Sequence, residues 1–126
     1  MDLDRPSVTV TTDGSGDATA YLGDALVDGS MGPTTGRVLS IIYEKTDFAT
    51  GVDFTITTDV TGQNVWVETN VDASKTVNPS VETHDTSGVA ASSRDYVMLA
   101  DERLKIVVAN GGSTKTGKFT LVFEKA

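Results

Sequence analysis

Cysteine is absent from this chain, histidine occurs once, and aromatic side chains make up only 6% of it. Without cysteine there are no disulfides and no thiolate metal sites. With one imidazole beside that, zinc, iron and copper centres lose their usual ligands. Positive charge is scarce too: 10 Lys and Arg stand against 18 Asp and Glu, for a net charge of −8. Duplex nucleic acid is bound mainly through Lys and Arg contacts to phosphate, so no nucleic-acid partner is expected. Apolar runs are short, the longest being Ile41-Ile42-Tyr43 and Ile106 to Ala109. None approaches the ~18 residues of a membrane span, and no membrane partner is expected. The opening stretch from Met1 to Pro6 has neither a basic nor an apolar region of the signal-peptide kind.

Helical patterning is also missing. No window keeps apolar residues at i, i+3, i+4 and i+7, and helix formers never cluster. The best candidate is a single turn around Val97-Met-Leu-Ala-Asp-Glu-Arg103.

What remains is strand signal. The 126 residues weigh 13.2 kDa. A folded chain of that mass exposes roughly 6,400 Å² against about 19,000 Å² unfolded, enough burial for one core. Ser7 to Thr12 alternates, with Val8 and Val10 on one face. Asp13-Gly-Ser-Gly-Asp17 then turns the chain into Ala18 to Leu22, which predicts a hairpin. Gly36 to Lys45 puts Leu39, Ile41 and Tyr43 on one face and Val38 and Ile42 on the other, as in a central strand or one covered by a neighbouring subunit. Asp53 to Thr58 turns Phe54 and Ile56 inward, and Thr61-Gly62 leads into Asn64 to Val71. Residues 72–93 are polar and poorly patterned, and read as a long excursion with one extended piece near Val77 to Thr83. A second hairpin is predicted at the end: Leu104, Ile106 and Val108 on one arm, Phe119, Leu121 and Phe123 on the other. The fold class is therefore all-β, a single-domain sandwich or jelly roll of seven to eight strands with antiparallel hairpins. Residues 1–7 form an N-terminal arm and residues 8–126 the domain.

The residues offer little catalytic equipment. His84 precedes Asp85 and has serines nearby, but no G-x-S-x-G elbow accompanies it. Asp13-Gly-Ser-Gly-Asp17 spaces two carboxylates across a loop, yet lacks the third acid and the bidentate Glu of an EF-hand; Asp, Gly and Ser are what turns select. Eighteen acidic residues make chance carboxylate pairs unavoidable, and none sits with an aromatic sugar platform. No catalytic residue, metal site or cofactor is expected. In Asn64-Val-Trp-Val-Glu68, alternation with Val65 and Val67 inward leaves Trp66 and Glu68 facing outward. An outward Trp anchors interfaces; the alternative is that the same chain covers that face.

Several phrases resemble small β-rich proteins encoded in the structural gene modules of tailed bacteriophages. They are the opening Val8-Thr-Val-Thr-Thr-Asp13-Gly-Ser-Gly-Asp-Ala-Thr-Ala20, the Gly36-Arg-Val-Leu39 strand start, Asp47-Phe-Ala-Thr-Gly-Val-Asp-Phe-Thr-Ile56, Glu68-Thr-Asn-Val71, Thr83-His-Asp-Thr86 and Asp101-Glu-Arg-Leu-Lys-Ile-Val-Val108. The resemblance implies a non-enzymatic virion component, made in the bacterial cytoplasm and sited on the capsid surface. It implies a capsid decoration (cement) protein that binds the major capsid protein, as a homo-oligomer with a trimer favoured. A head–tail connector, tail or fibre-associated part is the alternative, and a carbohydrate-binding adhesion module a more remote one. The contacts expected for such a role are Leu3, Arg5 and Pro6 in the arm, Met31 and Pro33 in the 30–35 loop, Trp66 with Glu68, and His84 in the excursion.

Overall fold

The computed structural model describes residues 2–126, and Met1 of the expected arm lies outside them. The chain forms β1 (Asp2–Asp4), β2 (Ser7–Thr11), β3 (Ala18–Leu22), β4 (Asp24–Ala25), β5 (Met31–Gly32), β6 (Thr34–Lys45) and β7 (Asp53–Thr58). It continues with β8 (Asn64–Glu68), β9 (Lys75–Val77), β10 (Ser80–His84), β11 (Ala90–Glu102), β12 (Leu104–Ala109) and β13 (Thr116–Lys125). All pairings are antiparallel. A seven-stranded sheet runs β1-β13-β6-β11-β10, with β2 further along β13 and β9 further along β6; a four-stranded sheet runs β3-β12-β7-β8. β4 and β5 make a separate ribbon.

This is the expected all-β sandwich, with thirteen strands where seven to eight were predicted. The surplus lies in two- and three-residue pieces, β1, β4, β5 and β9, too short to show an alternation of their own, and in the thirteen-residue β11, which was not expected as a strand. The one helical turn allowed around Val97 is instead the end of β11, with Val97 and Leu99 buried and Met98 outward.

Both predicted hairpins are corrected. β2 pairs only with β13, and β3 only with β12, so the 13–17 turn carries the chain from one sheet to the other. β12 and β13 likewise lie in opposite sheets. The apolar stripes face the core as read, with Leu104, Ile106, Val108, Phe119, Leu121 and Phe123 each at 0% exposure. A stripe buried between two sheets looks the same in sequence whether the next strand pairs beside it or crosses over it. The two crossovers brace each other: the Gly111 N–H donates to the Gly16 carbonyl at 2.9 Å and the Thr114 N–H to the Asp13 carbonyl at 3.1 Å.

Aromatic rings tie the sheets together. Phe54 of β7 meets Tyr43 at 4.7 Å, Phe119 at 4.9 Å and Trp66 at 5.6 Å between centroids, each edge to face. β6 is the central strand expected from its two apolar faces, flanked by β13 on one side and β11 and β9 on the other. Its inward set differs from the reading, however. Val122 pairs with Ser40 and Phe123 with Val38, leaving Leu39 as the extra residue of a bulge. The bulge resets the phase, so Val38 joins Ile41 and Tyr43 in the core while Leu39 is half-buried.

Candidate interaction surfaces

Ile56 pairs with Trp66 and Thr57 with Asn64, so Val65 is the extra residue of a bulge in β8. Trp66 therefore shares the inward face of Ile56 and is 6% exposed, whereas Val67 stands outside at 55%. The outward assignment of Trp66 is overturned: the same chain covers it. One Trp buries more apolar area than a valine on an edge strand, and the bulge lets it do so. Its indole N–H donates to Glu68 Oε1 at 3.1 Å, and Lys75 Nζ reaches both Glu68 oxygens at 2.9 Å. The Lys75 ammonium and then the indole hold the Glu68 carboxyl below the usual carboxylate range. Glu68 is thus half-buried and engaged within its own chain.

The other expected contacts scatter. The N-terminal arm lies on its own sheet, with Leu3 opposite Glu124 of β13. Leu3 is 54% exposed, Arg5 is exposed, and Pro6 is buried with its carbonyl accepting the Leu121 N–H at 3.0 Å. Met31 is half-buried in β5, its carbonyl accepting from Arg103 at 2.8 Å; Pro33 is exposed. His84 is exposed at the end of β10, paired with Ala90 across the ladder.

The excursion read as irregular is ordered. After β9 docks on β6, β10 and the first half of β11 form a two-stranded arm that does not pair with β6 and packs on the core through the half-buried Val81. Between Ser80 and Tyr96 no residue is buried. Its tip is a turn in which Asp85 Oδ1 accepts the N–H groups of Ser87 at 2.8 Å and Val89 at 3.0 Å, with Gly88 at φ 77°. Asp13 builds the same turn with Ser15, Asp17 and Gly16, and those backbone donors, Asp17 first, lower its carboxyl pKa. At the arm's base Arg94 grips Ser80 through Nε to the hydroxyl (2.8 Å) and Nη2 to the carbonyl (2.7 Å). Clefts flank this clamp: one of about 230 Å³ beside Pro79, Asp95 and Tyr96, and one of about 350 Å³ beside Asn64, Glu82 and His84.

A second surface is the outer face of the seven-stranded sheet. Leu3, Glu124, Arg37 and Met98 stand side by side on β1, β13, β6 and β11, pair by pair in the ladder. Arg37 Nη2 donates to both Glu124 oxygens at 2.9 Å, and its guanidinium lies 5.2 Å from the Tyr96 ring centroid. The Glu124 carboxylate raises the Arg37 pKa. Leu3, Tyr96 and Met98 are each exposed large apolar side chains, at 54%, 43% and 53%. Sequence reasoning singled out only Leu3 here; Arg37, the Tyr96–Met98 pair and Glu124 lie on three strands far apart in the chain, and only strand order makes them neighbours.

No group of three or more His, Cys, Asp and Glu side chains is placed to hold a metal ion among the described residues. No protein-family model matches the chain, and neither a curated protein nor a solved structure matches it at a significant level.

Proposed function

We propose that this protein is a structural component of a tailed-bacteriophage virion, a capsid decoration protein that binds the shell of major capsid protein as a homo-oligomer. The observation that carries the reading is the β10–β11 arm. A two-stranded ribbon is marginal alone in water, and this one contributes no fully buried residue from Ser80 to Tyr96. Its turn, its Arg94 clamp and the Thr83–Ser93 hydroxyl pair at 2.6 Å hold its shape, while of the side chains packed on the core it supplies only the half-buried Val81. An ordered element of this kind serves contact with another chain. The family resemblance supplies the context in which that chain is a capsid subunit.

The test uses purified shells lacking the protein. Full-length chain should bind at many copies and raise the temperature at which the shells break. A variant with residues 85–89 replaced by a two-residue turn should keep its thermal unfolding but bind at least tenfold more weakly. Density confined to the neck or tail in cryo-electron microscopy would move the protein to the connector or tail role. Binding to glycans and not to shells would move it to the adhesion class.

A further inference from the structure

The outer face of the seven-stranded sheet has a charge pattern that matches itself. The outward residues of β13 are Lys118, Thr120, Val122 and Glu124, and their ladder partners on β6 are Glu44, Ile42, Ser40 and Arg37. At one end of this strip β13 carries the acid and β6 the base, Glu124 with Arg37 at 2.9 Å. At the other end the order is reversed, Lys118 on β13 with Glu44 on β6 at 3.7 Å. Between them lie Thr120, Val122, Ser40 and Ile42, of which Val122 is only 7% exposed and the others are half-buried.

Consider a twofold axis in the plane of this face, running along the strands between β13 and β6. It lays β13 of one copy over β6 of the other. Glu124 then faces Arg37, Arg37 faces Glu124, Lys118 faces Glu44 and Glu44 faces Lys118. No like charges meet. Thr120 meets Ile42 and Val122 meets Ser40 across the axis. Further out, Leu3 lies over Met98 and Met98 over Leu3, because the row Leu3–Glu124–Arg37–Met98 reads apolar, acid, base, apolar. Such a contact is isologous, the commonest kind in soluble oligomers. A twofold axis across the strands would also pair opposite charges, Glu124 with Lys118 and Arg37 with Glu44, but it would lay Leu3 over Thr9 of β2 in place of Met98, so the apolar flanks favour the axis along the strands. From strand spacing and rise, the strip from Lys118 to Glu124 and its flanking strands measure roughly 20 by 24 Å, so about 480 Å² per partner. Doubled, that is about 960 Å², the size of a weak contact that forms at high protein concentration.

We infer that this face is a homodimer interface in which the outer sheets of two copies pack face to face, with the arms left free. The inference does not depend on the virion reading, since it concerns the purified chain alone, and it fits two copies at this contact where the resemblance implied three.

Sedimentation equilibrium of the full chain is the test, with circular dichroism to confirm folding. Wild type should dimerise. Ile42→Arg, outward and at the centre, should weaken the dimer by about 100-fold, and so should Arg37→Glu, which sets acid over acid. The exchange Arg37→Glu with Glu124→Arg should restore it, because the row stays self-complementary when both signs change. As the chain has no cysteine, Ser40→Cys gives one unique thiol beside the axis, and a short bis-maleimide should link two copies. A wild type that stays monomeric at hundreds of micromolar overturns the inference, and so does an oligomer that Ile42→Arg leaves intact. If Ile42→Arg does not fold, the crosslink decides: no linked pair from Ser40→Cys also overturns it.

Discussion

The carboxylate of Glu102, 5% exposed at the end of β11, accepts the backbone N–H of Thr61 at 3.1 Å and its hydroxyl at 3.1 Å through the other oxygen. The Val60 N–H adds a third donor at 2.9 Å. A buried acid from the large sheet thus holds the β7–β8 turn of the small one. Hydrogen bonds to charged groups contribute about 1.5–3 kcal/mol each, and truncation leaves buried donors without partners. Glu102→Ala should therefore lower unfolding free energy by about 3 kcal/mol, with Glu102→Gln intermediate. Urea denaturation measures both, and equal stability of Glu102→Ala and wild type would remove the staple.

Trp66 is a core residue in this fold, so its substitution should be felt in the monomer. Trp66→Ala should cost about 3–5 kcal/mol, the range for aromatic truncation in a core. As the sole tryptophan, it also reports directly: fluorescence should be blue-shifted when folded and shift red on denaturation. Unchanged thermal stability with lost self-association would return Trp66 to the surface.

Gly117 faces inward at the start of β13, where a Cβ would run into the Phe48 ring and come within 3.0 Å of Tyr43 Cε1. Both rings are fully packed. Gly117→Ala should destabilise by about 1–3 kcal/mol through overpacking, whereas Gly14→Ala, with open space around it, should be close to neutral. Thermal melts of the pair separate steric exclusion from a general effect of glycine replacement.

Acid should unfold the chain. Asp13 is held below its ordinary 3.8 by the N–H groups of Asp17 and Ser15, Asp47 below 3.8 by the Thr116 N–H, and Glu68 below 4.5 by Lys75 and Trp66. Folded values below unfolded ones mean that this stability is complete above the unfolded values. It is lost as pH falls through the folded ones. The melting temperature should be flat down to about pH 5 and fall below about pH 4. Asp47→Asn should flatten part of that fall; an unchanged acid limb in Asp47→Asn and Glu68→Gln together would contradict it.

The Tyr43 hydroxyl is buried without a hydrogen-bond partner among the described residues, and burial pushes its pKa up to about 12. An unpaired buried hydroxyl costs about 1–3 kcal/mol, so Tyr43→Phe, keeping the ring stack, should stabilise by about 1 kcal/mol. Because the folded value lies above the ordinary 10.0, wild type should also lose stability as pH rises past 10, and the Phe variant should lose less. A destabilised Tyr43→Phe would place a partner on that oxygen.

How much of this was readable in the chain depends on the range of the interaction. Phe54, Ile56, Leu104, Ile106, Val108, Phe119, Leu121 and Phe123 all face the core as their alternation requires. The Asp-x-Ser-Gly turns at Asp13 and Asp85 are equally local, built from a carboxylate two residues before its first N–H partner and a glycine at positive φ. At Trp66 and Leu39 the same alternation misled, since one bulge residue inverts every face beyond it and leaves no mark in composition.

By itself the sequence determined an acidic, cysteine-free β sandwich, which stripes go inside, and where the chain turns. Those follow from a period of two and from turn chemistry, both properties of neighbouring residues. The tertiary structure alone decided that β2–β3 and β12–β13 cross between sheets, that residues 80–96 form an arm, and that Glu124 and Lys118 on β13 lie beside Arg37 and Glu44 on β6. Strand partners are chosen by contacts between segments that can lie more than a hundred residues apart, as Asp2 and Lys125 do, and an inward stripe is satisfied equally by any apolar face laid against it.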